Sequence, residues 1–277
     1  MKKTWLDGKT FIISGASSGI GKGIAEKLII KHGCKVIGIG RNENKFIDFS
    51  AKLGENAKLL TYCTFDVTDE NEWKNLAKDL EKDGIRPDGI INCAGILPRF
   101  KKALDTETED VIKVTETNFF SCVYSINATY PLISRSDTPA IVNVSSAAAL
   151  ATIVGTSAYS AAKSALKSYT EALIYELKGK AYVSLVMPGF ARTDIFRSQN
   201  TSIDENKLIK NLSMPAYKTV NAIHRGIKRK KTRIIIGKDA HAMNFFYRLF
   251  PKFTMGAIKK VLKGSKLKLF EDVFCDD

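Results

Sequence analysis

The chain has 277 residues, a formal net charge of +14, 44% hydrophobic side chains and 26% charged side chains. This length is sufficient for one domain with a full core, and the composition excludes a disordered or fibrous chain. The longest apolar runs fall short of the ~20 residues that a membrane-spanning helix needs, so we expect a cytoplasmic protein.

The elements predicted in chain order are short apolar, β-branched strands that alternate with amphipathic helices. The strands are Thr10–Ser14, Lys35–Gly40, Lys58–Phe65, Gly89–Asn92, Ala140–Val144, Tyr182–Met187 and Arg233–Ile236. The helices are Gly19–His32, Asn42–Leu53, Glu70–Lys82, Thr108–Leu132, Ser157–Leu177 and Pro215–Lys230. This alternation predicts an α/β fold with a doubly wound, seven-stranded parallel sheet in a single domain, residues 1–237, followed by a C-terminal helical extension, residues 238–277.

A glycine-rich turn joins the first strand to the first helix in the stretch FIISGASSGIGKG. Glycines allow a tight turn and a close approach of the backbone, and the N–H groups at a helix N-terminus attract a pyrophosphate. The turn therefore predicts a dinucleotide site, although a glycine turn without a ligand has the same pattern. The candidate residues of this turn are Gly15, Ser17, Ser18, Gly19, Ile20 and Gly21.

The end of the second strand indicates which dinucleotide would bind. Proteins that bind NAD usually place an acid there to hold the ribose 2′-hydroxyl, whereas this chain has Gly40 and Arg41. Arg41 can pair with a 2′-phosphate through two hydrogen bonds, so the sequence favours NADP(H) over NAD(H). The alternative is that Arg41 is a solvated turn residue.

Four further motifs follow in order: NCAG after the fourth strand, NFFS in the long helix, IVNVSS at the fifth strand and YSAAK in the next helix. Together with the glycine turn, this ordered set resembles the short-chain dehydrogenase/reductase family in its single-domain, Rossmann-type form, from about residue 9 to residue 237. The resemblance implies that Asn118, Ser146, Tyr159 and Lys163 are the catalytic residues. It also implies that the cofactor contacts Asp66, Val67, Asn92, Ala94, Gly95, Tyr159, Lys163, Pro188, Gly189 and Thr193. Cys93 stands where the family mostly has a second asparagine.

The spacing of Tyr159 and Lys163 has a chemical reason. Residues four apart lie on one face of a helix, so the charge of Lys163 is expected to lower the pKa of Tyr159 for proton transfer to or from a carbonyl oxygen. Ser146, thirteen residues before Tyr159, would polarise that oxygen, and Asn118 would hold a water that links Lys163 to solvent. The sequence thus predicts an enzyme that interconverts a ketone and a secondary alcohol.

Two rival functions remain open at this point. One is a catalytically silent NADP(H)-binding sensor or scaffold, and the other is the same fold performing epimerisation or dehydration. Both are disfavoured, the first because the full Asn-Ser-Tyr-Lys set is present and the second because an extended substrate domain is lacking. Metal chemistry is not expected, because the five cysteines and three histidines share no metal-ligand spacing and are typical of reduced, mostly buried thiols.

The substrate is expected to be apolar, such as a steroid, a long-chain acyl compound or a sphingoid. This expectation depends on the apolar residues after the sixth strand, which are Ile195, Phe196, Leu208, Ile209, Leu212 and Met214. The resemblance also implies a homodimer or homotetramer that packs through the helices Thr108–Leu132 and Ser157–Leu177.

The basic charge is concentrated near the C-terminus, where residues 218–270 contain 15 Lys and Arg but one acid, Asp239. Three interpretations compete for the aromatic and basic segment after residue 237. The aromatics cover the substrate mouth or a subunit interface; or the segment makes a peripheral contact with an anionic membrane surface; or it binds nucleic acid, the least favoured because no nucleic-acid-reading module is recognised. Phe245, Phe246, Leu249 and Phe250 are predicted to share one helix face before Pro251 interrupts the helix.

Overall fold

The computed structural model describes residues 3–192, 213–265 and 270–274. Its strands are β1 (Thr10–Ser14), β2 (Lys35–Gly40), β3 (Leu60–Thr64), β4 (Gly89–Asn92), β5 (Ala140–Val144), β6 (Tyr182–Pro188), β7 (Ala191–Arg192), β8 (Met214–Pro215) and β9 (Arg233–Ile236). Its α-helices are α1 (Gly19–His32), α2 (Glu43–Leu53), α3 (Glu70–Lys82), α4 (Thr108–Thr115), α5 (Ser121–Ile133), α6 (Ser157–Glu176), α7 (Ala216–Lys228), α8 (Lys238–Leu249), α9 (Pro251–Gly264) and α10 (Glu271–Phe274).

Seven parallel strands form the main sheet in the order β3-β2-β1-β4-β5-β6-β9, and β7 pairs with β8 in a separate two-stranded ribbon. The predicted doubly wound parallel sheet is therefore confirmed. The strands β2 and β3 lie on one side of β1, and the strands from β4 onward lie on its other side. In open α/β sheets, ligands bind outside the carboxyl ends of the strands at such a switch point. The topology alone places the site beyond Ser14 and Asn92, which are paired in register.

Helix boundaries follow local chemistry. Helix α1 ends at Gly33, whose φ of 59° is favourable for glycine and whose N–H donates to the carbonyls of Leu28 and Ile29. Asn42 caps α2 by accepting a hydrogen bond from the N–H of Lys45 at 3.0 Å. These caps fix the ends of the two helices nearest the glycine turn.

The helix predicted as one element over Thr108–Leu132 is interrupted in the structure. Residues Glu116–Phe120 form a π-helical turn between α4 and α5, and Asn118 lies inside it, fully buried. Turns of this kind are frequent at functional sites. The hydrophobic period continues through the turn, so sequence pattern alone did not reveal it.

Alternate residues of β1 enter different cores, as expected for a strand covered on both faces. Phe11 and Ile13 belong to the cluster that includes α1 and α7, whereas Ile12 packs with Trp73 of α3 on the other face. A third cluster joins the loop after β4 to the C-terminal helices through buried side chains such as Met243. Within the described ranges, no helix has both the length and the apolar character required to traverse a bilayer.

Candidate active site

A cavity of about 320 Å³ lies beyond the carboxyl ends of the central strands. Predicted site residues that border it are Gly15, Ser18, Gly19, Ile20, Gly21, Ala94, Gly95, Ser146, Tyr159, Lys163, Pro188 and Gly189. Distant parts of the sequence thus converge on one place. The remaining predicted residues do not border the cavity, and one of them, Thr193, lies outside the described residues.

The glycine turn leaves room at the cavity floor that side chains would fill. Gly15 has a φ of 70°, and a Cβ added to it would lie 2.9 Å from the backbone nitrogen of Ala94. A Cβ on Gly21 would collide with the carbonyl oxygen of Gly15. Because only glycine fits at both positions, the backbone forms a narrow cradle of the kind that a pyrophosphate needs.

Helix α1 directs its N-terminus at this cradle. Ser18 is the N-cap residue but its side chain makes no capping hydrogen bond, and the first turn contains no acid. The free N–H groups and the helix dipole therefore favour an anion there. Lys45, which also borders the cavity, adds a positive charge. These residues fit a dinucleotide phosphate.

Ser146 and Tyr159 are the two hydroxyl groups at the centre of the cavity. Ser146 is the second residue after the end of β5, and its Oγ accepts a hydrogen bond from the N–H of Ala148 at 3.2 Å. Burial raises the pKa of Tyr159, and a hydrogen bond with Ser146 opposes that rise. The tyrosine is consequently held in its neutral form, as a proton donor must be.

Lys163 is one helical turn beyond Tyr159 and is 4% exposed. Its Nζ donates to the carbonyl oxygen of Val144 at 3.0 Å and lies 6.0 Å from the ring centroid of Tyr159. Burial lowers the pKa of Lys163, against the opposing influence of the Cys122 and Cys93 thiols. The sequence led us to expect a lowered pKa for Tyr159, whereas its burial raises the pKa of this tyrosine.

The neighbouring serines have different environments. The hydroxyl of Ser145 donates to the carbonyl oxygen of Lys163 at 2.8 Å and is buried, which anchors α6 to β5. Ser146 instead borders the cavity together with Tyr159, and its side chain lowers the pKa of that tyrosine. This difference agrees with the choice of Ser146 over Ser145 that the resemblance implied.

Asn118 reaches the site from the π-helical turn, and its side chain makes two hydrogen bonds. Its Oδ1 accepts from the N–H of Ile96 at 3.0 Å, and its Nδ2 donates to the carbonyl of Ile96 at 2.8 Å. A Cβ on Gly95 would lie 2.6 Å from the same Oδ1. The side chain therefore holds the loop after β4.

Asn92 lies beneath the cavity rather than in its wall. It is 1% exposed, its Nδ2 donates to Asn143 Oδ1 at 2.9 Å, and its Oδ1 accepts from Ser125 at 2.8 Å. Asn143 continues to Thr170 of α6 at 2.9 Å. This buried polar chain ties α5, β4, β5 and α6 together, so Asn92 supports the site from within.

Above Asn92, the backbone N–H groups of Cys93 and Ala94 both donate to the hydroxyl of Ser14, at 3.1 and 3.2 Å. This fixes the turn after β4 against β1. Burial raises the pKa of the Cys93 thiol to about 12, so it is neutral and inert.

The predicted adenosine-side residues form a separate group at the end of β2. Arg41 is exposed and pairs with Asp66 at 3.4 Å, while Ser17 lies beside Gly40, whose added Cβ would be 3.0 Å from its Oγ. Partial burial opposes the ionisation of Asp66, yet hydrogen bonds from Thr68 and the charge of Arg41 together lower its pKa. Val67 packs in the core, and its carbonyl accepts from the indole of Trp73 at 2.9 Å.

The segment after β6 closes the cavity on the side of the C-terminal helices. Pro188 and Gly189 border the cavity, and the N–H of Phe190 donates to a carboxylate oxygen of Asp239 at 2.8 Å. A Cβ on Gly189 would collide with that carboxylate. Asp239 therefore connects the start of α8 to the cavity wall. Thr193 lies outside the described residues.

Several residues of the site were missed by sequence reasoning. Lys45 lies in the first turn of α2, shortly after the end of β2, and its positive charge there was the available signal. Asp239 is the one acid in residues 218–270, which also marks it. Three residues of the apolar wall had no comparable signal, since they come from separate loops. These are Leu97, Phe100 and Phe190.

Comparisons with known proteins give one consistent result. The profile of a family described as "short chain dehydrogenase" matches residues 9–204. An uncharacterized oxidoreductase of Bacillus subtilis is 27% identical over 96% of this chain and 76% of its own length. The 3-oxoacyl-[acyl-carrier-protein] reductase of Bos taurus is 31% identical over 76% of this chain and 85% of its own length.

Solved structures agree with the fold. A short-chain dehydrogenase from Streptomyces avermitilis superimposes with a TM-score of 0.76 at 26% identity, over 94% of this chain and 100% of the other. A short chain dehydrogenase from Burkholderia cenocepacia in complex with NADP has a TM-score of 0.75 at 20% identity, over 91% of this chain and 98% of the other.

Proposed function

Because the chain belongs to the short-chain dehydrogenase family, a family of oxidoreductases, we propose that it interconverts a ketone and a secondary alcohol on an apolar substrate with NADP(H). The observation that carries this proposal is the convergence of Ser146, Tyr159 and Lys163 on the same cavity as the glycine cradle and the N-terminus of α1. No other described part of the chain combines an anion site with a polarised hydroxyl pair.

The residues of the chain have separate roles in this reaction. The backbone of Gly15 and of residues 18–21 would hold the pyrophosphate. When bound, the nicotinamide supplies a hydride for reduction and accepts one in oxidation. Tyr159 donates its hydroxyl proton to the carbonyl oxygen in reduction and, in oxidation, its phenolate accepts the alcohol proton. Its raised pKa favours the neutral form, which is the form that donates the proton in reduction.

Ser146 and Lys163 assist Tyr159 in different ways. Ser146 and Tyr159 border the same cavity, so a substrate oxygen placed between them would be polarised by both hydroxyls. The ammonium of Lys163 is buried beside the tyrosine ring, where it stabilises the phenolate that remains after proton donation. This role of Lys163 towards Tyr159 is therefore tested by the rate of turnover rather than by the affinity for the dinucleotide.

NADP(H) is favoured over NAD(H) by the charges near the end of β2. Arg41 is exposed, and Lys45, in the first turn of α2, borders the cavity. Two positively charged side chains suit a 2′-phosphate. Arg41 also offsets the negative charge of Asp66, with which it pairs. The Burkholderia cenocepacia structure is described as a complex with NADP, as is one from Shigella flexneri.

An apolar substrate is supported by the wall opposite the cradle, formed by Leu97, Phe100, Ile153 and Phe190. Curated relatives are named for a 3-oxoacyl group on acyl carrier protein and for an 11-beta-hydroxysteroid. Both are lipid-like molecules with a carbonyl or hydroxyl group. Of the apolar segment predicted to contact substrate, only Met214 is among the described residues.

We also propose that residues 1–237 form the cofactor-binding and catalytic unit, which the extension 238–277 completes. A homodimer or homotetramer through α4, α5 and α6 remains part of the proposal. It is supported by apolar side chains exposed on α4 and on the π-helical turn that follows it. These are Val111, Ile112 and Phe120.

The test is NADPH oxidation against a panel of apolar ketones, with wild type and Tyr159→Phe compared. We expect wild-type turnover with at least one ketone, a loss of at least ~10²-fold in kcat for the variant, and NADPH affinity within a few fold. Retained activity in Tyr159→Phe would overturn the assignment. Tight NADPH binding by a wild type that turns over no ketone or alcohol would instead identify a silent sensor.

A further inference from the structure

The helices α8 and α9 have an inner face that is part of the core. Met243 of α8 and Leu262 of α9 are buried in the same cluster as Leu97 and Phe100, which border the active-site cavity. Tyr247 and Ile258 pack against this cluster from the same helices. The two helices are therefore docked by these side chains, and their outer faces are not needed for packing.

The outer face is also apolar. Phe245 is 59% exposed, Phe246 45%, Leu249 56%, Phe250 57% and Phe253 70%. These five residues, here called the aromatic ridge, follow one another across the corner at which α8 ends and α9 begins. Large apolar side chains are usually exposed singly, so a contiguous group on one corner marks an interaction surface. None of the five ridge residues is among those that line the active-site cavity.

Positive charge surrounds the ridge. Arg248 and Lys252 are exposed between ridge residues, and Lys260 is exposed farther along α9. The sequence offers one acid in residues 218–270, and that acid, Asp239, is directed at the N–H of Phe190. Two copies of the chain that met through this ridge would bring like charges together. A surface with apolar depth and negative charge would complement both features.

We propose that the aromatic ridge is a peripheral docking site for an anionic lipid bilayer. The aromatic and leucine side chains enter the boundary between headgroups and acyl chains, and the flanking cations stay at the headgroups. The same helices support Leu97 and Phe100 from behind, so docking brings the apolar wall of the cavity close to the source of a lipid-like molecule. The docking itself does not depend on catalysis.

The experiment is vesicle sedimentation of the full chain at low salt, with phosphatidylcholine alone and with phosphatidylcholine containing phosphatidylserine. We expect binding to the mixed vesicles, weak binding to the neutral ones, and release by salt. The double variant Phe250→Glu/Phe253→Glu should reduce the bound fraction at least ~10-fold. The matched control is Leu104→Glu/Tyr217→Glu, which changes the charge equally at residues 99% and 63% exposed.

Three outcomes would overturn the proposal. The wild type remains in the supernatant with both vesicles; it binds neutral vesicles equally well; or the control variant loses binding as much as the ridge variant. If vesicles are not bound and the ridge variant converts an oligomer into monomers in sedimentation velocity, the ridge is an interface between copies. Ketone turnover is not needed for any of these readouts, so a failure here is distinct from a failure of the proposed reaction.

Discussion

The two adjacent serines at the end of β5 are expected to affect different properties, one mainly the stability of the fold and the other mainly kcat. Ser145→Ala removes the hydrogen bond that the Ser145 hydroxyl donates to the carbonyl of Lys163 at 2.8 Å, and with it a buried link between β5 and α6. The expected cost is about 1–2 kcal/mol in the free energy of unfolding, with kcat retained within several fold. Ser146→Ala removes the hydroxyl beside Tyr159, so kcat should fall ~10²–10³-fold, as on loss of one oxyanion donor.

The stability cost of Ser146→Ala should be smaller, about 0.5–1 kcal/mol, because its bond to the N–H of Ala148 is a longer 3.2 Å cap. Urea unfolding followed by circular dichroism and NADPH oxidation at saturating ketone measure the two quantities on the same samples. A larger kcat loss in Ser145→Ala than in Ser146→Ala would refute this assignment of the two hydroxyls.

The pH profile of Ser146→Ala provides a further test of the influence of Ser146 on the pKa of Tyr159. The Ser146 hydrogen bond lowers the pKa of Tyr159, so its removal raises that pKa. Carbonyl reduction needs protonated Tyr159 and declines as the pH rises through its pKa, so the alkaline limb should move to higher pH in the variant. A shift to lower pH, or none, would contradict the hydrogen bond.

Two other changes test the cofactor side and the folded state. Arg41→Asp should shift the ratio of kcat/KM from NADPH toward NADH, because a carboxylate repels a 2′-phosphate; an unchanged ratio would remove Arg41 from that site, and Lys45→Gln provides the comparison at the neighbouring cation. Burial, with the charge of His32 next in importance, lowers the pKa of His224 from 6.5 to about 4. The unfolded chain therefore takes up a proton before the folded one as the pH falls from 6.5 to about 4. Between pH 6.5 and about 4, the free energy of unfolding of the wild type should fall by about 1–2 kcal/mol, after allowance for the partial exposure of the His224 ring. The His224→Gln variant should lose less, and equal losses would contradict the assignment of this pH dependence to His224.

The sequence predicted the sheet well because strands covered on both faces have strong local signals. Five of the seven sheet strands have the predicted bounds, and the departures are one or two residues at β3 and one at β6. The predicted start of β3 was too early, because Gly54–Leu59 form a 3-10 helix. Leu59 is apolar like a strand residue, so the sequence pattern does not separate this helix from the strand.

The candidate site was predicted where backbone geometry restricts the residue type. The glycines of the turn and the spacing from Ser146 to Tyr159 are such restrictions, and these residues meet in one cavity. The pKa of Tyr159 was not predictable in the same way. Proximity to Lys163 was apparent from the sequence, but the depth of burial that dominates the result depends on tertiary packing.

The π-helical turn at Glu116–Phe120 also determines where Asn118 lies between α4 and α5. The N–H of Ser121 donates to the carbonyl of Glu116, five residues earlier, so the turn holds more residues than an α-helical turn would. Deletion of one residue there would restore α-helical winding with little change in the face that α5 presents, because the extra residue is held within the π-helical turn. Ser125 would stay opposite Asn92, but the bulge that brings Asn118 to the backbone of Ile96 would be lost. A single-residue deletion in this turn is therefore an evolutionary step that the catalytic architecture does not tolerate, although the same deletion in an exposed loop would pass unnoticed.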